Sequence, residues 1–78
     1  MFIWNGKKLA KARKEKGMTI NDLAYEFHKR NVEITPQAIS LWETNKTTPT
    51  FVNVIYLCQI LGKDMWYFAK RVNSKKRR

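Results

Sequence analysis

Helix start signals recur along the chain and restrict it to one fold class. Thr19 with Asp22 has the pattern of a capping box, and Thr35 followed by Pro36 combines an N-cap with a proline at the first helical position. The other residues that precede helical apolar periods as N-caps are Asn5, Thr50 and Asp64. Because the apolar spacing is helical and no alternating strand pattern competes with it, the sequence predicts an all-α fold.

The same signals predict five helices. The expected ranges are residues 6 to 17, 20 to 30, 36 to 43 or 44, 51 to 61, and 65 to 70. The first helix is expected to place Leu9, Ala12 and Arg13 on its inner side. Its other face is expected to lie in solvent and consists of Lys7, Lys11 and Lys14. In the fourth helix, the expected core stripe contains Phe51, Val54, Ile55, Cys58 and Leu61.

Charge is distributed unevenly along the 78 residues. Sixteen lysines and arginines against six acidic residues give a net charge of +10, yet residues 1–69 carry only +4. We therefore expect one folded domain over residues 1–70 and a mobile basic tail over residues 71–78. A charge excess of this size predicts a polyanionic partner, and nucleic acid is favoured over an anionic membrane surface.

The composition also argues against several classes of function. With one cysteine, Cys58, and one histidine, His28, the sequence has neither an internal disulfide nor zinc-finger spacing. No residue stands at a spacing that would make His28 a catalytic base, and we expect no enzymatic activity, cofactor, metal or small-molecule ligand. Since no signal peptide or membrane-spanning segment is recognisable, the expected location is intracellular.

Short helices around a proline-started helix of two turns suggest a helix-turn-helix, the motif that places one helix in the major groove of DNA. Five segments in order strengthen this interpretation: residues 7–19, Leu23-Ala24, residues 39–43, residues 49–51 and Leu61-Gly62. Together they resemble the Cro and repressor family of phage and bacterial regulators, also called the xenobiotic-response-element family. The resemblance spans roughly residues 6–68 and implies a five-helix, lambda-repressor-like domain that binds double-stranded DNA. It also implies a cytoplasmic, nucleoid-associated protein of a prokaryote or a phage-infected host cell.

In that family the outward residues of the third helix face the groove. The resemblance implies that the base-contacting residues are Pro36, Gln37, Ser40 and Leu41. Gln37 suits adenine because its amide both donates and accepts hydrogen bonds, whereas Pro36 and Leu41 are departures that favour apolar contact with thymine methyl groups. The implied phosphate contacts are Thr19, Asn21, Thr35, Ala38, Asn45, Lys46, Thr47 and Thr48.

The turn before the third helix is longer than in compact relatives. Residues 28–34 separate Phe27 from Thr35, and POU-specific domains, which are similar in helix arrangement, also lengthen this linker. Two interpretations of Lys29 and Arg30 in this turn stay open. Either they contact phosphate, or they belong to a solvated helix end.

Two structural features are implied as well. Relatives pair the positions of Arg13 and Glu43 in a salt bridge that ties the third helix to the first. Relatives also often dimerise through the end of the domain, where a second apolar stripe needs cover. The residues of this expected dimer face are Val52, Tyr56, Ile60, Trp66 and Tyr67. The alternative is that residues 2–4 or the C-terminal tail cover them.

The expected function is that of a Cro-like transcriptional repressor that occupies an operator, acting as a homodimer. Two alternatives use the same fold: an antitoxin or excision protein whose outer aromatic face engages a protein partner, and a protein-interaction module that has lost base reading. RNA binding ranks last, because the sequence has no recognised RNA motif and no stacking aromatics on a sheet.

Overall fold

The computed structural model describes residues 2–70. Its elements are α1 (Gly6–Glu15), α2 (Ile20–Lys29), α3 (Pro36–Glu43), α4 (Phe51–Leu61) and a 3₁₀ helix (Met65–Phe68). The all-α prediction is confirmed for these residues, and the first four helices begin at the predicted positions. The basic tail predicted for residues 71–78 lies outside the described residues.

Each α-helix begins with the side-chain cap that the sequence predicts. Thr19 and Asp22 form both hydrogen bonds of the capping box, and the Thr35 hydroxyl accepts from the Ala38 amide. The helix ends are equally regular, with φ values of 62° or 69° at Gly17, Asn31, Asn45 and Gly62. At each end, the residue that follows donates its amide to the carbonyl five positions back at 3.0–3.2 Å. These left-handed ends stop the helices and satisfy their last carbonyls.

The fifth helix begins at Met65 as predicted, but it is a 3₁₀ helix that ends at Phe68 and not near residue 70. Asp64 caps a single 3₁₀ turn, and Ala69 is already extended. The reason is a tertiary contact that no local signal reveals: the chain after Phe68 runs antiparallel to the N-terminal segment. Trp4 bridges to Ala69, and the Phe68 carbonyl accepts the Asn5 amide at 2.8 Å.

The core is one cluster to which every described helix contributes. Its buried apolar residues are Trp4, Leu9, Ala12, Leu23, Phe27, Ile39, Trp42, Val54, Leu57, Ile60, Leu61 and Phe68. Aromatic rings organise its centre, where the ring of Phe27 lies edge-on to Trp42 at 6.1 Å and to Tyr56 at 6.0 Å. Edge-to-face pairs of this kind add to the apolar area that they bury.

The orientation of α4 corrects the expected core stripe. Its buried side contains Val54, Leu57, Ile60 and Leu61. Phe51 and Val52 are 65% and 58% exposed, and Ile55 is exposed beside them. Ile60 is only 8% exposed, so the stripe of Val52, Tyr56 and Ile60 that we expected to face outward does not exist. The helix is apolar on nearly every side, and its periodicity therefore does not identify the inner face.

Candidate nucleic-acid interface

The exposed face of α3 is short and uncharged. Gln37, Ser40, Leu41 and Thr44 are all exposed, and they lie three or four residues apart on one side of the helix. The opposite side carries Ile39 and Trp42, which are buried in the core. Of the four residues predicted to contact bases, three are therefore on this face, and Pro36 stands partly exposed at its N-terminal edge.

The C-terminal end of α3 is fastened to α1 by an ion pair. Arg13 Nε donates to Glu43 Oε2 at 2.7 Å, and Arg13 Nη2 donates to Glu43 Oε1 at 3.1 Å. The two side chains are 11% and 10% exposed, and Arg13 Nη1 also donates to the Met18 carbonyl at 2.8 Å. The hydrogen bond to Glu43 raises the pKa of Arg13. The bidentate pair fixes α3 relative to α1, and the bond to Met18 ties both helices to the turn after α1.

Three further contacts at the same end involve Trp4 and Gly6, whose roles the sequence does not predict. Trp4 Nε1 donates to the Trp42 carbonyl at 2.8 Å, and the Gly6 amide donates to Asn45 Oδ1 at 2.7 Å. Gly6 also has no space for a side chain, because a Cβ there would lie 2.5 Å from the Glu43 carbonyl oxygen and closer still to that of Trp42. The available sequence signal for this close approach was a glycine, a poor helix former, at the first position of a helix.

The predicted phosphate contacts fall into two groups. Thr19 and Asn21 lie exposed at the start of α2, and the exposed residues after α3 are Asn45, Lys46, Thr47 and Thr48. Ala38 does not fit the prediction: its amide is bound to the Thr35 hydroxyl, and its side chain packs against the core. The hydroxyl of Thr35 accepts that bond and retains its own proton for donation.

Lys29 and Arg30 are held by an acidic residue of their own helix. Glu26 carboxylate oxygens lie 3.0 Å from Lys29 Nζ and 3.0 Å from Arg30 Nη1. Hydrogen bonds from Lys29, and then from Arg30, lower the pKa of Glu26. The turn between α2 and α3 consists of residues 30–35. Glu26 partly neutralises both Lys29, the last residue of α2, and Arg30, the first residue of the turn.

The residues of the expected dimer face do not form one surface. Val52 is exposed on α4, and Trp66 is 64% exposed despite a contact with Phe2, whose ring centroid is 5.7 Å away. Tyr56 and Tyr67 are half-buried, and Ile60 belongs to the core. The apolar residues exposed on α4 are instead Phe51, Val52 and Ile55, which share one side of the helix.

A family described as a helix-turn-helix domain has a sequence model that matches residues 6–74. The chain belongs to this helix-turn-helix family. Membership makes it a DNA-binding domain of a family that is typically non-enzymatic. No curated protein and no solved structure shows a significant match to the chain.

The remaining chemistry of residues 2–70 is limited. Within that part of the chain, no three His, Cys, Asp or Glu side chains cluster in a way that would hold a metal ion. No helix there has the length and apolarity to cross a membrane. Cys58 is half-buried in α4, and burial raises the pKa of its thiol, which disfavours the reactive thiolate.

Proposed function

We propose that this helix-turn-helix protein is a sequence-specific transcriptional repressor of the Cro type, which reads the major groove of duplex DNA with α3. The observation that carries the proposal is the exposed, uncharged face of α3, held at one end by the Thr35 cap and at the other by the Arg13 and Glu43 ion pair. A helix held at both ends that presents amide, hydroxyl and apolar groups is suited to reading base edges, because base pairs differ in their hydrogen-bond donors, acceptors and methyl groups.

Each exposed residue of α3 has a base contact that its chemistry favours. The amide of Gln37 pairs with the N6 and N7 positions of adenine, and Leu41 packs against a thymine methyl group. Ser40 donates or accepts one hydrogen bond. Thr19, Asn21 and the residues that follow α3 would then hold phosphates on either side, which positions the helix without selecting a sequence. Bound in this way at a promoter, the protein represses by excluding polymerase.

The proposal includes a homodimer, now on a corrected face. Phe51, Val52 and Ile55 form an exposed apolar side of α4 in a molecule with 28% charged residues. Exposed apolar residues that are contiguous mark contact surfaces. A second copy bound there with two-fold symmetry would present two α3 helices to half-sites about 34 Å apart, one turn of DNA.

A substitution at Gln37 tests base reading directly. Gln37→Ala should weaken binding to duplexes that the wild-type protein enriches from a random pool by about 1–3 kcal/mol. The binding of the variant to random duplex should stay nearly constant. Lys46→Gln is the matched comparison, because loss of a phosphate contact should weaken both affinities by the same factor. Equal losses on both duplexes for Gln37→Ala would contradict the proposed role of α3.

The exposed apolar side of α4 also favours a second candidate function, an antitoxin, excision or other protein-interaction module. In that case the surface of Phe51, Val52 and Ile55 would bind a different protein rather than a second copy. Complex formation that is insensitive to salt and is lost in Val52→Lys, together with no footprint on any duplex, would favour this candidate over the repressor.

A further inference from the structure

The outer face of α1 carries three lysines that we expected to be merely solvated. Lys7, Lys11 and Lys14 lie four and three residues apart and therefore share one side of the helix. None of them pairs with an acidic residue within residues 2–70, whereas Arg13 of the same helix is fully engaged by Glu43. The three charges are thus available to a ligand.

The lysines line a shallow groove whose other wall is the end of α3. The groove is formed by Lys7, Ala10, Lys11, Lys14, Glu15, Glu43 and Thr44. Its two carboxylates are already occupied, because Glu43 binds Arg13 at 2.7 Å and Glu15 lies 3.5 Å from Lys63 Nζ. With each carboxylate beside a cation, the three lysines leave the groove with an excess of positive charge.

Thr44 connects this groove to the face that we assign to base reading. It lies on the same side of α3 as Gln37 and Ser40, and its hydroxyl donates to the Ser40 carbonyl at 3.1 Å. A DNA strand that leaves the α3 contact past Thr44 would meet the lysines of α1. Seven residues of helix extend about 10 Å, which equals the axial rise of roughly three nucleotides of one strand.

We propose that Lys7, Lys11 and Lys14 form a phosphate track that binds the DNA backbone beside the bases contacted by α3. This inference rests on the proposed function, since α3 places the duplex. The track supplies affinity without sequence preference, and it offsets the lack of positive charge on α3 itself. The partner is the phosphodiester backbone of duplex DNA, because three unpaired ammonium groups in a row complement its evenly spaced charges.

The test measures how the dissociation constant depends on salt, by fluorescence anisotropy with a duplex enriched from a random pool and with a random duplex. The triple variant Lys7→Gln, Lys11→Gln, Lys14→Gln should reduce the slope of log K against log salt by about 2–3. Both affinities should fall roughly a hundredfold at 0.15 M salt, so the ratio between the two duplexes stays constant. The triple lysine-to-arginine variant should retain the wild-type slope.

Lys8→Gln is the matched control for the single variant Lys11→Gln. Lys8 is on the same helix, but its ammonium lies over the ring of Tyr67 at 4.9 Å from the centroid, away from the groove. Lys11→Gln should lower the slope by about 0.9, and Lys8→Gln should leave it unchanged. Circular dichroism checks that each variant keeps its helices.

The outcomes separate this inference from the function on which it rests. If the wild-type protein discriminates between duplexes but the triple variant keeps the full slope, the track is wrong and the repressor proposal stands. If Lys8→Gln and Lys11→Gln have equal effects, the contribution is general charge and the track is likewise wrong. If the wild-type protein binds no duplex, both proposals are overturned. If the triple variant loses only binding to RNA or heparin and keeps its binding to duplex DNA, the track alone is overturned.

Discussion

Replacing Gly6 by alanine tests the packing that orients α3. A Cβ at Gly6 would lie 2.5 Å from the Glu43 carbonyl oxygen and 2.7 Å from its carbon, while ordinary contacts begin near 3.4 Å. The blocking atoms are backbone, so α1 and the end of α3 would have to separate by roughly 1 Å. That shift costs about 1–3 kcal/mol in packing and weakens the two hydrogen bonds made by Trp4 Nε1 and the Gly6 amide, each contributing about 1 kcal/mol.

Alanine is the better helix former by about 0.5–1 kcal/mol, which offsets part of this loss. The net expectation for Gly6→Ala is a decrease of about 3 kcal/mol in the free energy of unfolding, seen as a fall in Tm of roughly 10–25 °C by calorimetry. Gly17→Ala is the control: its surroundings are open, and only its φ of 69° opposes a side chain, so it should lose about 1–2 kcal/mol. A Gly6→Ala protein that is as stable as wild type, or no less stable than Gly17→Ala, would refute the close approach.

Three other predictions concern the ion pairs and the apolar side of α4. Arg13→Met and Glu43→Leu should each lower the free energy of unfolding, measured in urea, by about 3 kcal/mol. The double variant should lose about 2 kcal/mol less than the sum of the two single losses. A coupling energy near zero would mean that the pair is exposed and weak. Val52→Lys should leave Tm nearly unchanged but abolish any dimer seen by sedimentation velocity. Asn21→Lys, at the start of α2, is the control that adds the same charge. A dimer that survives Val52→Lys would place the interface elsewhere. Lys29 and Arg30 lower the pKa of Glu26 in the folded protein. The ionised Glu26 carboxylate therefore stabilises the fold at pH values above its pKa in the unfolded chain, near 4.3, and this stabilisation is lost as the pH falls through its lower pKa in the folded protein. Glu26→Gln should therefore show a smaller drop in Tm between about pH 5 and pH 3 than wild type, and identical pH profiles would contradict the pairing.

The helix boundaries were predictable because they depend on short-range chemistry. A threonine hydroxyl three residues before an amide, or a glycine that accepts a positive φ, acts within one turn of the chain, and the caps at Thr19, Thr35 and Thr50 all form. The same holds for the exposed face of α3, where polar and apolar residues alternate with helical spacing. The Arg13 and Glu43 contact came from the family resemblance and not from the spacing of these two residues.

What the sequence did not reveal depends on contacts between distant segments. The inner face of α4 was missed because Leu57 and Ile60 are no more apolar than the exposed Phe51 and Ile55. The last turn stayed 3₁₀ because Ala69 bridges to Trp4, 65 residues earlier in the chain. The role of Gly6 likewise arises only when α3 packs across it.

The central claim is that α3 reads a base sequence, and selection from a random pool of duplex DNA tests it most directly. The account predicts that repeated rounds with the wild-type protein enrich a defined sequence that contains two inverted half-sites about one turn, ~34 Å, apart. A footprint of the protein on the enriched duplex should cover both half-sites. A pool that stays random after selection, although the protein binds it, would contradict base reading by α3.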